Sequence, residues 1–206
     1  MKNKRLIIYL IIVLIIFLIT YSGTINDILS ETFSTRAIDK EIICDENNKS
    51  CELEKEIHEL VNIKRQENKL LTLIKDNKLS EIARAHSQDM IDREFMDHIN
   101  PDALDVSDRG KLAGYECKKY HGLLVEVGLA ENLYKTSIYN KETTLDDNEN
   151  KLFELNSVES ISRKIVTGWI NSQGHKENLF NGNHTREGIG VAISNESEIY
   201  VTQVFC

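Results

Sequence analysis

The chain has 206 residues, 25 of them basic and 33 acidic, for a formal net charge of −8, and it contains 4 cysteines. Lys2, Lys4 and Arg5 supply three of the cations ahead of any acid, so the rest of the chain stands at 22 basic against 33 acidic residues, a net −11. That balance excludes nucleic acid and anionic lipid surfaces as partners of the main body, since both are bound through neutralised phosphates.

Residues 1–5 (MKNKR) form a basic tip, and Leu6–Ile25 follows without a charge. About 20 apolar residues span a bilayer as a helix, and cations before such a run hold that end in the cytoplasm. Residues 6–25 are therefore expected to be a transmembrane signal-anchor, with the C-terminal part outside the cytoplasm. Secretion after signal cleavage is the alternative. A signal peptide has a shorter apolar core of about 7–15 residues and a small-x-small cleavage site, and TYSGT is a poor version of one. Residues 26–52 are polar and weakly periodic and read as a stalk, leaving residues 53–206 as one domain.

Leu53, Ile57, Leu60 and Val61 recur at helical spacing and predict a first helix ending near Gln66. A second runs through KLSEIARAHSQDMIDREFM, with Leu79, Ile82, Ala83, His86 and Met90 on one stripe. Residues 97–122 hold the only proline, Pro101, and read as loop with a short helix. GLLVEVGLAENLYK is compatible with a strand or a buried helical piece. Residues 137–156 (SIYNKETTLDDNENKLFELN) are polar and acidic, and read as a surface insertion. A third helix starts near Asn156, with Glu159 as the reciprocal acid of a cap; Val158, Ile161, Ile165 and Trp169 form its inner stripe, and Gly174 is expected to be a left-handed stop. GIGVAIS and EIYVTQVFC end the chain as two strands around the turn NES. Helices first and strands last give an α+β class, with helices packed on a small antiparallel sheet after the membrane helix.

An even cysteine count on the exported side points to disulfides. Of the three pairings, Cys44–Cys51 and Cys117–Cys206 are expected, with free thiols as the alternative; a zinc–cysteine site is excluded by the lack of C-x-x-C. Asn48, Asn183 and Asn195 each begin an N-x-S/T triplet, relevant only in a glycosylating host. HELVN imitates a zinc-protease motif from His58, but Asn62 stands where the second imidazole is required. DDNEN begins like a calcium loop at Asp146, Asn148 and Asn150, but has Lys151 at the glycine position and Ser157 at the closing glutamate. His86 reads as a core histidine, and His121 and His184 as surface residues. His98 and His175 differ, since each follows a helix in a loop of small or polar neighbours. Glu131 ends an apolar run, where an unpaired carboxylate is costly.

LVNIKRQENKL, LSEIARAHSQDM, DHINP, the AEN of AENLYK, WINSQGHKENLF, GIGVAI and YVTQVF lie in an order that resembles a CAP-superfamily domain of the SCP or pathogenesis-related-1 type, in its short prokaryotic form. The resemblance runs from about Leu53 to Cys206 and implies an α-β-α sandwich. It also implies a cleft of histidines and glutamates that binds zinc or another divalent ion in some members. By position these are His98 and Glu131, with His175 from the prokaryotic Trp-x-x-Ser-x-Gly-His pattern. Ala130 replaces the glycine of the family's Gly-Glu-Asn, Ser172 a second glutamate, and Tyr200 a histidine, so the eukaryotic set is only half present. His98, Glu131 and His175 would suit Zn2+ and leave a fourth position open, with Glu177 or Tyr200 orienting the ligands. The function implied is a non-catalytic exported module binding a metal and a lipid, envelope ligand or extracytoplasmic protein partner. The alternative is a metal-dependent hydrolase of peptide or cell-envelope polymer, with Glu177 as the candidate base.

Overall fold

The computed structural model describes residues 48–121, 124–144 and 151–206. The anchor, most of the stalk and the DDNEN segment lie outside them, and among the described residues no helix is long and apolar enough to cross a membrane. Helix α1 (Lys49–Glu67) begins upstream of the expected Leu53, because the Asn48 side chain accepts from Cys51 N at 3.0 Å and caps it. Strand β1 (Ile74–Lys75) leads into α2 (Asn77–Asp92), capped by Asp76. The remaining elements are α3 (Val106–Leu112), β2 (Lys118–His121), β3 (Leu124–Val127), β4 (Ala130–Ser137), β5 (Tyr139–Thr144), β6 (Lys151–Leu155), α4 (Val158–Asn171), α5 (Gln173–Leu179), β7 (Arg186–Ile193) and β8 (Glu198–Phe205). The described part of GLLVEVGLAENLYK thus holds strands β3 and β4, and the described part of the acidic insertion holds the paired strands β5 and β6.

The main sheet has the order β1-β7-β8-β4. It is mixed, because β1 pairs parallel to β7 while β7–β8 and β8–β4 are antiparallel. Two residues were too few to signal β1 in the sequence. Alternation along the strands gives each face its own helix layer. Ile189, Val191, Val201 and Phe205 pack with Leu53 and Ile57 of α1 and with Ile161, Ile165 and Trp169 of α4. On the other face Val204 packs with Leu79, Ile82 and Ala83 of α2. Gly188 and Gly190 face α2, and a methyl group at either would overlap the helix backbone at Ser80 or Arg84. The bare strand therefore lets α2 lie directly on the sheet.

Strand β4 is the far edge of the sheet, and two of its outward carbonyls are covered. Trp169 Nε1 donates to Leu133 O at 3.0 Å, and Asn178 Nδ2 donates to Glu131 O at 3.1 Å, which blunts an edge that would otherwise template pairing. Cys117 and Cys206 are bridged across 89 residues; closing such a loop is worth roughly 4–5 kcal/mol in the chain-entropy account. Cys51 is also disulfide-bonded, and its expected partner Cys44 lies outside the described residues.

Three local expectations are corrected. Ser157, not Asn156, caps α4, its hydroxyl accepting from Ser160 N at 3.1 Å. Gly174 is not a left-handed stop: the chain breaks at Ser172, and Gly174 lies within α5. His184 is not a surface residue, being 3% exposed and stacked on Phe205 with ring centroids 5.0 Å apart. His121 lies in β2. Gly190→Ala is expected to destabilise the protein by at least about 2 kcal/mol by overpacking against α2, read as a lowered urea midpoint.

Candidate functional site

Glu131 leaves β4 on the α2 side, opposite Val204 in the ladder, and its side chain is 2% exposed. Burial of a carboxylate requires charge partners, and two are present. Arg109 Nη2 donates to Oε2 at 2.5 Å, and His98 Nδ1 lies 2.8 Å from Oε1. Arg109 Nη1 also donates to the carbonyls of His98 and Leu104, both at 2.9 Å. One guanidinium thus ties α3, the loop carrying His98 and strand β4 together, a fork that lysine does not provide.

The His98 side chain is 53% exposed. The hydrogen bond to Glu131 is the main cause that raises its pKa above the ordinary value. His175, in the first turn of α5, faces it with ring centroids 6.3 Å apart and planes tilted by 57°. Partial burial lowers the His175 pKa, and the neighbouring His98 charge lowers it further. The main chain of His175 is held by Asn132, whose Nδ2 donates to its carbonyl at 3.1 Å, while Asn178 Nδ2 donates to Asn132 Oδ1 at 3.0 Å. The AEN stretch therefore serves the site twice: Glu131 from one face of the sheet and Asn132 from the other.

His86 is a buried helix residue, as expected, but it borders this site. Its Nε2 lies 4.0 Å from Glu131 Oε2 and donates to Asp97 O at 3.1 Å. Burial lowers its pKa, so the ring is neutral, Nε2 carries the proton and Nδ1 keeps a lone pair. His86 and Arg109 thus clamp the carbonyls of residues 97 and 98. Neither role was visible in the sequence: His86 sat on an apolar stripe and Arg109 in a segment read mostly as loop.

The other candidates lie elsewhere. Tyr200 pairs with Lys135, four ladder positions from Glu131; its hydroxyl donates to Glu198 at 3.3 Å and its ring lies under Lys135 Nζ. The exposed Glu177 accepts from Gln173 at 2.6 Å along the flank of α5. His58 of HELVN is partly buried and belongs to a structural chain of hydrogen bonds. Asn62 exchanges two hydrogen bonds with Leu73, which fixes its amide as a donor to His58 Nε2 at 3.3 Å. His58 Nδ1 then donates to the fully buried Glu187 at 2.6 Å, whose other oxygen accepts from Gln203.

The donor set does not assemble as three first-sphere metal ligands. Both Glu131 oxygens are taken by His98 and Arg109, and among the described residues no group of three His, Cys, Asp or Glu is arranged to hold an ion. Two imidazoles remain, with the carboxylate behind one of them.

Residues 58–205 match the model of the CAP family, described as the cysteine-rich secretory protein family. The chain is 31% identical over 137 residues to the uncharacterized protein YkwD of Bacillus subtilis, covering 66% of this chain and 41% of that protein. It is 27% identical over 138 residues to the uncharacterized membrane protein YlbC of the same organism, covering 67% and 31%. It thus spans less than half the length of either relative. An outer surface protein from Borrelia burgdorferi shares the fold, with a TM-score of 0.54 at 16% identity, covering 75% of this chain and 91% of that one.

Replacing Glu131 with Gln is expected to lower the His98 pKa, measured by imidazole proton NMR titration. Because the native value is raised, this pair contributes stability below the unfolded value near 6.5 and loses it as pH rises through the folded pKa; Glu131→Gln is expected to remove that dependence. Arg109→Met leaves the carboxylate buried without its cation and is expected to cost about 3 kcal/mol, read by chemical denaturation.

Proposed function

The chain belongs to the cysteine-rich secretory protein (CAP) family, matched over residues 58–205, and on that premise we propose that it is a non-catalytic extracytoplasmic binding module. The Leu6–Ile25 run would anchor it in the membrane as a single-pass protein. The disulfide Cys117–Cys206 supports an oxidising compartment, and the relative YlbC is itself named a membrane protein.

The observation that carries the reading is the pair His98 and His175, facing each other at 6.3 Å and backed by Glu131 and Arg109. A ligand entering the cleft meets two imidazoles of unequal basicity, the outer one held by a buried ion pair. A divalent ion such as Zn2+ would be held by His98 and His175, with Glu131 orienting His98 through Nδ1 rather than binding the ion. A lipid or envelope ligand would use the same two rings as hydrogen-bonding groups. The hydrolase alternative lacks a placed base, since the Glu177 carboxylate is engaged by Gln173 on the exposed flank of α5. Binding without turnover is the function the geometry supports best.

The test is equilibrium dialysis of the full chain against Zn2+, beside the His98→Ala/His175→Ala double variant checked for folding by circular dichroism. At least about tenfold weaker retention in the folded double variant is expected, a difference of about 1.4 kcal/mol. Equal retention by both proteins overturns the metal reading of the cleft.

A further inference from the structure

Arg65, in the last turn of α1, is 1% exposed, and its donors all go to main-chain carbonyls. Its Nε donates to Leu71 O at 2.9 Å, Nη1 to Leu179 O at 2.7 Å and to Asn181 O at 3.0 Å, and Nη2 to His184 O at 3.3 Å. A buried cation is ordinarily matched by a counter-charge. Arg65 instead pairs with no carboxylate among the described residues, and carbonyl dipoles alone hold it. Burial lowers its pKa, against the opposing charge of Glu187.

Asn181 opens the turn between α5 and β7, and Asn181–Gly182 is the single Asn-Gly step of the chain. Asn181 Oδ1 accepts from Asn183 N at 2.9 Å. The N–H of Gly182 and the Nδ2 of Asn181 donate to no group among the described residues. Gly182 is exposed, and a Cβ at that position would meet only Leu70, at 3.8 Å. Its main-chain nitrogen is therefore unengaged and unshielded, beside an amide carbon whose oxygen already faces a donor.

We propose that Asn181 is a self-modification site, converted through a cyclic imide to an isoaspartate whose carboxylate pairs with Arg65. In the first step Gly182 N bonds to Asn181 Cγ, the Cγ–Nδ2 bond breaks, and the Gly182 amide proton leaves with that nitrogen as ammonia. Asn183 N–H stabilises the oxyanion that forms at Oδ1. In the second step water adds to the main-chain carbonyl carbon of residue 181, and the bond from that carbon to Gly182 N breaks. One proton of the water goes to Gly182 N and the other to solvent. The chain then runs through Cγ, and the former carbonyl is a carboxylate.

Arg65 directs the second step, because its Nη1 already donates to the oxygen on which charge grows. Opening at Cγ instead would give ordinary aspartate and leave Arg65 facing a neutral carbonyl. The conversion stands apart from the cleft reading. It nevertheless bears on α5, since the same Nη1 holds Leu179 O at the end of the helix that carries His175.

The test is incubation of the folded full chain at mildly alkaline pH, beside the free synthetic peptide Glu177–Arg186, until that peptide is converted. Trypsin digestion and electron-transfer fragmentation then separate isoaspartate from aspartate at residue 181. A Gly182→Ala chain is treated in the same way; the position has room for a methyl group and no positive φ, so this variant is expected to fold. The isoaspartate-to-aspartate ratio is expected to be at least about tenfold higher in the folded chain than in the peptide, as one hydrogen bond to a charged group provides. Conversion in Gly182→Ala is expected to be at least about tenfold slower, because the methyl group obstructs the approach of the attacking nitrogen. An unmodified Asn181 in the folded chain, a ratio no higher than the peptide's, or wild-type conversion in Gly182→Ala overturns the proposal.

Discussion

A carboxylate buried in an edge strand organises this domain. Glu131 has almost no access to water, and a charge in that position is tolerated only when its partners are fixed and both oxygens are satisfied. Arg109 supplies the cation, and its remaining donors bond the carbonyls of His98 and Leu104. Meeting one electrostatic requirement thus sets the path of the loop after α2, the placement of α3 and the orientation of a half-exposed imidazole. The cleft follows from that one charge: the group that must be neutralised is the group that steers His98.

The opposite face of the sheet meets a similar demand by other means. Glu187 is fully buried and is held by His58 and Gln203. Gln203 accepts from Asn132 at 3.1 Å, and Asn132 in turn holds the main chain of His175. A continuous run of side-chain hydrogen bonds therefore links α1, across β7, β8 and β4, to the helix that carries His175. Buried networks of this kind specify geometry because each unsatisfied member would incur a desolvation cost. The two imidazoles of the cleft are consequently positioned by independent supports, His98 through an ion pair and His175 through neutral amides. Their unequal basicity follows: one faces a carboxylate, the other faces burial and a neighbouring cation.

Two residues that support the cleft also face a groove between α2 and α3. His86 directs its proton toward the loop that carries His98, and its residue also lines a groove of about 430 Å3 between α2 and α3. Arg109 likewise lines the groove while its charge is committed to Glu131.

Much of the fold was legible from periodicity. The inner stripes of α1, α2 and α4 and the alternation in β7 and β8 are local patterns, and each element formed where its apolar residues recur. The likeness of scattered stretches to one family directed attention to His98, Glu131 and His175, and the fold brings these three residues together. Local pattern failed wherever the deciding contact was remote. β1 exists only because β7 is there to pair with it; Gly174 continues into a helix rather than ending one; His184 is covered by Phe205. Arg109 and Glu131 lie 22 residues apart, and nothing in the spacing marks them as a pair. The sequence by itself determined which faces are apolar, because that depends on neighbours along the chain. The tertiary structure alone decided which buried charge meets which partner, because charge pairing depends on distance through space and on the exclusion of water.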